Sequence, residues 1–107
     1  MAIATSSYEI CEHLPQSEKF GLRSQITRSA VSIPSNIAEG HSRSSDKEKA
    51  WFMEIAIGSA FELETQLILI SELGFVPNEK VAPVLEKITE EQMMIAALIR
   101  KMKQSDN

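Results

Sequence analysis

A chain of 107 residues with 43% apolar side chains can bury one core and has no room for two, so it reads as a single domain over residues 1–107. The formal net charge of −4 opposes nonspecific attraction to phosphate, and a lone cysteine, Cys11, excludes an internal disulfide or a cysteine-rich metal centre. No apolar run approaches the ~20 residues that span a bilayer, and no basic stretch followed by an apolar one opens the chain, so a cytoplasmic protein without a membrane segment is expected.

Met1 to His13 carries Ile3, Tyr8, Ile10 and Cys11 in a short, weakly periodic pattern that stops before Leu14-Pro15, because a residue preceding proline is pushed out of helical geometry. This predicts a short first helix. Ser17 is placed to cap a second helix running to Gly40, whose missing Cβ suits a helix end. Within it Leu22, Ile26, Ala30, Ile33 and Ile37 recur at spacings of four, four, three and four, forming one stripe that must be buried. Phe20, Thr27, Val31 and Ala38 fall on a second strip, while Arg28, Ser32, Ser35, Asn36 and Glu39 share a small, polar side. Pro34 removes a backbone hydrogen bond and leaves the carbonyl of Ala30 short of a partner. A bend is expected there, with serine hydroxyls available to compensate.

His41 to Ser44 is a polar connection, and Ser45 with Glu48 forms a capping box for a third helix that continues to Leu73, with Gly74 as its stop. At about 1.5 Å per residue this helix reaches roughly 40 Å. One broad apolar arc holds Phe52, Met53, Ala56, Ile57, Ala60, Phe61, Leu63, Leu67, Ile68 and Ile70; a second holds Trp51, Ile55, Leu69 and Leu73. Only Glu54, Gly58, Thr65 and Glu72 form a solvated strip. A helix apolar on nearly every side is surrounded by protein, and a four-helix monomer cannot cover both arcs. The third helix is therefore expected to pack within its own bundle and against another copy, giving a cyclic homo-oligomer.

Two glutamates interrupt this apolar surface. Glu64 projects between Met53 and Ile57, and Glu62 lies near Trp51, Ile55 and Leu69, so both call for partners. In an antiparallel hairpin centred near Arg43, residues of helices two and three whose numbers sum to roughly 86 lie level, which sets Arg23 beside Leu63 and Arg28 beside Gly58. Arg23 or Arg28 could then reach Glu62 or Glu64, within one subunit or between two. Glu62, Glu64, Arg28, Asn36 and Trp51 are accordingly the candidate ion-pair and interface residues.

After a turn at Phe75, Val76 and Pro77, a fourth helix is expected from Asn78 or Lys80 to Met102, with Pro83 tolerated near its first turn. Val81, Val84, Leu85, Ile88, Ile95, Leu98, Ile99 and Met102 form its buried stripe. Arg100, Lys101 and Lys103 complement the helix dipole, and Gln104 to Asn107 are expected to fray.

The run EKFGLRSQITRSAVSIPSNIAEG, followed at the expected distance by GSAFELETQL and then LG, resembles the bacterial four-helix bundle proteins known as 23S rRNA intervening-sequence proteins. The resemblance spans roughly Leu14 to Gly74 and continues more loosely to the C-terminus. It implies an all-α, up-and-down four-helix bundle assembled as a ring-like homopentamer. A related branch, the accessory proteins of diversity-generating retroelements, binds nucleic acid and a reverse transcriptase. Members of the family usually begin with a longer, aromatic-rich first helix that this sequence lacks.

Catalytic signatures are missing. A carboxylate-bridged dimetal bundle requires Glu-x-x-His, yet Ile10 and Ala38 stand three residues before His13 and His41. Glu9 and His13 read as a solvated helix face, and no phosphate loop or nucleotide fingerprint occurs. The expectation is a non-enzymatic protein needing no cofactor or metal. Positive charge is nevertheless concentrated: Lys19 to Lys49 carries a local net charge of +3, and a ring would repeat it. Arg43, Lys47, Lys49, Arg23 and Arg28 are the candidate nucleic-acid-binding residues, with RNA or DNA as the first ligand to consider. The alternative is a protein adaptor or scaffold ring without a nucleic-acid ligand. Trp51 is assigned to core or interface rather than to base stacking.

Overall fold

The computed structural model describes residues 2–105, in which four α-helices run up and down around one core: α1 (Ala2–Cys11), α2 (Leu22–His41), α3 (Asp46–Glu72) and α4 (Asn78–Ser105). The expectations for Met1 and for residues 106–107 lie outside the described residues. The molecule is elongated, 49 × 23 × 18 Å. The third helix packs on both α2 and α4, and α1 covers the opposite side by touching the same two helices.

Each helix buries the stripe that its spacing requires. Ile26, Ala30 and Ile33 of α2, Met53, Ala56, Ala60, Leu63, Leu67 and Ile70 of α3, and Val81, Val84, Ile88 and Ile95 of α4 form the core with Ile10 and Cys11 of α1. Two positions depart from the expected pattern. Tyr8 points outward, and Ser7 is buried in its place, its hydroxyl donating to the Ile3 carbonyl at 2.8 Å so that burial leaves it satisfied. Gln92, only 8% exposed, sits on the inward side of α4, where sequence alone places a merely polar residue.

The second helix begins later than expected. Gln16–Glu18 form a short 3-10 turn, Ser17 caps nothing, and the helix starts after Gly21, which offers no side-chain cap. It then continues through Pro34 to His41, one residue past Gly40. Gly40 is better explained by packing than by helix termination: a Cβ there would stand 3.2 Å from the Cβ of Phe52 and 3.0 Å from the Cε of Met53. The start of α3 is as expected, the Ser45 hydroxyl accepting from the Glu48 amide at 3.1 Å. Within this box the hydroxyl also donates to Glu48 Oε1 at 3.2 Å. The end of α3 is a Schellman turn: Gly74 has φ +79°, its amide donates to the Ser71 carbonyl, and the Phe75 amide donates to Ile70. The last helix extends to Ser105, so Gln104 is helical.

The register of α2 on α3 differs from the expected one. Ser32 Oγ and Ser59 Oγ share a hydrogen bond of 2.8 Å, so level residues sum to about 91 and not to 86. Arg28, not Arg23, stands level with Leu63. Gly40 fits the same register, since a Cβ there would meet Phe52, Met53 and the Lys49 carbonyl oxygen of α3.

Candidate functional site

The exterior of α3 is unusual for a helix on the outside of a bundle. Trp51, Ile55, Leu69 and Leu73 are all exposed, Trp51 by 64% and Leu73 by 53%. Phe61 and Ile68, expected in the inner arc, lie outside as well, because at 100° per residue they fall past the edge covered by α4. Gly58 stands on this outer face, where an added Cβ would meet nothing within 4 Å, and Glu62 is exposed beside it.

Among the described residues, neither Glu62 nor the half-buried Glu64 forms an ion pair, so the pairing with Arg23 or Arg28 is not made within one chain. The corrected register leaves Arg28 and Glu62 nearly level on neighbouring helices, both turned to solvent. Asn36 is engaged locally, its Nδ2 donating to the Ser32 carbonyl at 2.8 Å and to the Ser32 hydroxyl at 2.9 Å.

The candidate basic residues are distributed by the fold into separate places. Arg43 and Lys47 line one cleft of about 370 Å³ with Glu48, Trp51 and Phe52, where the α2–α3 connection meets the first turns of α3. Lys49 does not join them; two residues on from Lys47 it points about 200° away and is half-buried. Arg28 borders a shallow concavity with Tyr8, Ser35 and Asn36, about 20 Å along α2 from the helix end that leads to Arg43. Arg23 lies further still, close enough to Cys11 for its charge to act on the thiol, although burial dominates and pushes that thiol up to about 11.

In the cleft, Arg43 makes two contacts, and one of its nitrogens is left without a partner. Its Nη2 donates to Glu39 Oε1 at 2.9 Å, its guanidinium lies 4.9 Å from the centre of the Phe52 ring, and its Nε is buried without a hydrogen-bond partner. This cation–π contact occupies a face of Phe52. Lys47 is exposed and makes no ion pair among the described residues, and the indole of Trp51 stands beside it. The cleft thus combines one paired cation, one unpaired cation and one open aromatic surface. The spacing places Trp51 on the arc that a single bundle leaves uncovered, and its indole is exposed beside Lys47.

A second concavity of about 740 Å³ opens between the first turn of α1, α2 and α4, over Ile3, Ile33, Ile37, Ala38 and Met94. Among the described residues no set of three His, Cys, Asp or Glu side chains converges on a possible metal position, and no helix is long and apolar enough to cross a membrane.

Four antiparallel helices with an apolar outer face and no strand among the described residues define an all-α bundle protein. The chain belongs to the 23S rRNA-intervening sequence protein family, whose model matches residues 1–97. It is similar in fold to the crystal structure of a protein of unknown function from the S23 ribosomal protein family of Bacteroides thetaiotaomicron. The TM-score is 0.76 at 24% identity, over 91% of this chain and 97% of that one. No functionally curated protein matches the chain.

Proposed function

We propose that this protein is a cytoplasmic, non-enzymatic binding protein that assembles through the outer face of α3 into a closed ring of identical subunits, five by resemblance, and holds nucleic acid at the Arg43–Lys47–Trp51 cleft. The observation that carries the ligand is the meeting of two cations with an exposed indole in one concave place. The support for assembly is the apolar strip of Ile55, Phe61, Leu69 and Leu73, beyond Trp51 and its cleft, which no helix among the described residues covers. Arg28 and Glu62, level and unpaired, would meet the neighbouring subunits' opposite charges across a heterologous ring contact. Repetition around a ring turns one weak cleft into a multivalent surface, which offsets the overall acidity of the chain.

The test is affinity for RNA and DNA as a function of salt, for the native protein, Lys47→Glu and Lys49→Glu. Binding weakened by Lys47→Glu and indifferent to Lys49→Glu is expected, with the slope against log salt lowered by about one per lost contact. Equal effects of both substitutions, or none, would remove the cleft from the account. A second function, as a protein adaptor, draws its support from the uncovered groove over Ile33, Ile37 and Met94. A ring that binds no nucleic acid but retains a partner protein dependent on Met94 would favour it.

A further inference from the structure

We propose that Trp51 is a stacking platform for an unpaired nucleobase, so that the cleft selects single-stranded over double-stranded nucleic acid. This rests on the nucleic-acid function proposed above and narrows it to a ligand class.

The charge balance of the cleft leads there. Arg43 has its charge matched by Glu39 at 2.9 Å, and Glu48 lines the same concavity, its carboxylate receiving the Ser45 hydroxyl. That leaves Lys47 as the cation free to meet a phosphate. Binding a duplex without base contacts depends on many such cations, because its affinity comes from counterions released per neutralised phosphate. One per subunit is a poor basis for duplex binding. Stacking has a different requirement, a single accessible aromatic face, and it gives about 1–3 kcal/mol per base regardless of sequence. Phe52 is engaged with the Arg43 guanidinium on one face. Trp51 is 64% exposed and lies within the cleft. A base inside a duplex already has both faces covered by its neighbours, so only an unpaired one can settle on this indole. Lys47 then takes the adjacent phosphate, and the fixed Arg43–Phe52 pair forms the wall against which the nucleotide is held.

The protein carries one tryptophan, so its emission reports on this position alone. The intact assembled protein is titrated with a mixed-sequence strand of about 12 nucleotides, as RNA and as DNA, with the corresponding duplex, and with an abasic strand of equal length. The free protein is expected to emit as a water-exposed indole and to be quenched by both single strands, with a shallow salt slope near one per subunit. The duplex and the abasic strand are expected to bind at least about 10-fold more weakly. By anisotropy of a labelled strand, Trp51→Leu loses about 5–100-fold in affinity, and Trp51→Phe, which keeps a ring, recovers part of it. Unchanged circular dichroism and subunit mass in both variants exclude unfolding as the cause.

Emission typical of a buried indole in the free assembly would overturn the proposal by assigning Trp51 to a subunit contact. Equal affinity for duplex or abasic strand, still dependent on Lys47, would overturn stacking while leaving the nucleic-acid function in place. No binding of any of these probes would overturn both.

Discussion

The hydroxyls of Ser32 on α2 and Ser59 on α3 lie 2.8 Å apart, and Asn36 donates to the same Ser32 oxygen from one turn further on. Two small residues facing each other let the helix backbones approach, and the hydrogen bond gives that approach a preferred register. Replacing Ser59 by alanine leaves Ser32 with Asn36 as a remaining partner, so the cost is moderate, about 1 kcal/mol. Urea denaturation measures it directly. A midpoint unchanged from the native protein would show that the bond contributes nothing net and that register is set by the apolar contacts alone.

Gly40 and Gly58 are both helical glycines, and alanine substitution should move them in opposite directions. At Gly58 a Cβ meets nothing within 4 Å, and exchanging a mid-helix glycine for alanine stabilises an isolated helix by about 1 kcal/mol. At Gly40 the same Cβ meets the Cβ of Phe52 at 3.2 Å and the Lys49 carbonyl oxygen at 3.4 Å, atoms fixed to the α3 backbone. The helices must part there, at a cost of about 1–3 kcal/mol that exceeds the propensity gain. Thermal melts of the two variants are expected to shift down for Gly40→Ala and up for Gly58→Ala. In the ring proposed above, Gly58 lies among Ile55, Phe61 and Glu62 on the contact face, so its substitution should also lower the subunit count seen by native mass spectrometry. An unchanged count would move the subunit contact away from that part of α3.

Cys11 is 1% exposed and its thiol is pushed up from 9.0 to about 11, mainly by burial, with Arg23 pulling weakly the other way. The native thiol keeps its proton in a range where the unfolded one loses it. The native state therefore binds more protons between pH 9 and about 11, and stability falls as pH rises through that window. The loss attributable to this one group is on the order of 2 kcal/mol. Cys11→Ala removes it, so the difference between native and variant unfolding free energies should depend on pH above 9 and be flat below. A difference flat throughout would mean that the thiol ionises freely in the fold.

Much of this fold is legible in the sequence because helix ends and buried stripes are local properties. Ser45 with Glu48 and the Gly74 stop mark α3 to within a residue or two, and the four-three spacing of Ile26, Ala30 and Ile33 identifies the buried side of α2. What was not legible depends on contacts between helices. Gly40 resembles a helix stop until Phe52 is beside it, and the level of Arg28 against α3 follows from the Ser32–Ser59 contact, which no spacing within one helix encodes. Ser17 has the chemistry of a cap, but the 3-10 turn at Gln16–Glu18 takes its place in the chain. The cleft was half legible. Charge density points to Arg43 and Lys47 and the second apolar arc to an uncovered Trp51, whereas their meeting with Glu48 and Phe52 in one cleft depends on how the α2–α3 connection folds.

Of the four helices, α1 is the shortest, is joined to the rest by the irregular stretch around Gly21, and rests mainly on α2 and α4. The other three are successive antiparallel neighbours joined by tight connections, so their contacts form early and locally as the chain condenses. An order of assembly is thereby expected: two hairpins sharing α3 take shape first, and α1 docks once α2 and α4 have been brought together. Backbone amides of Ala4 to Ile10 should exchange with solvent sooner than those of Ala56 to Leu67, and by a route that leaves the remaining three helices intact. The first helix in chain order is then the one expected to settle last.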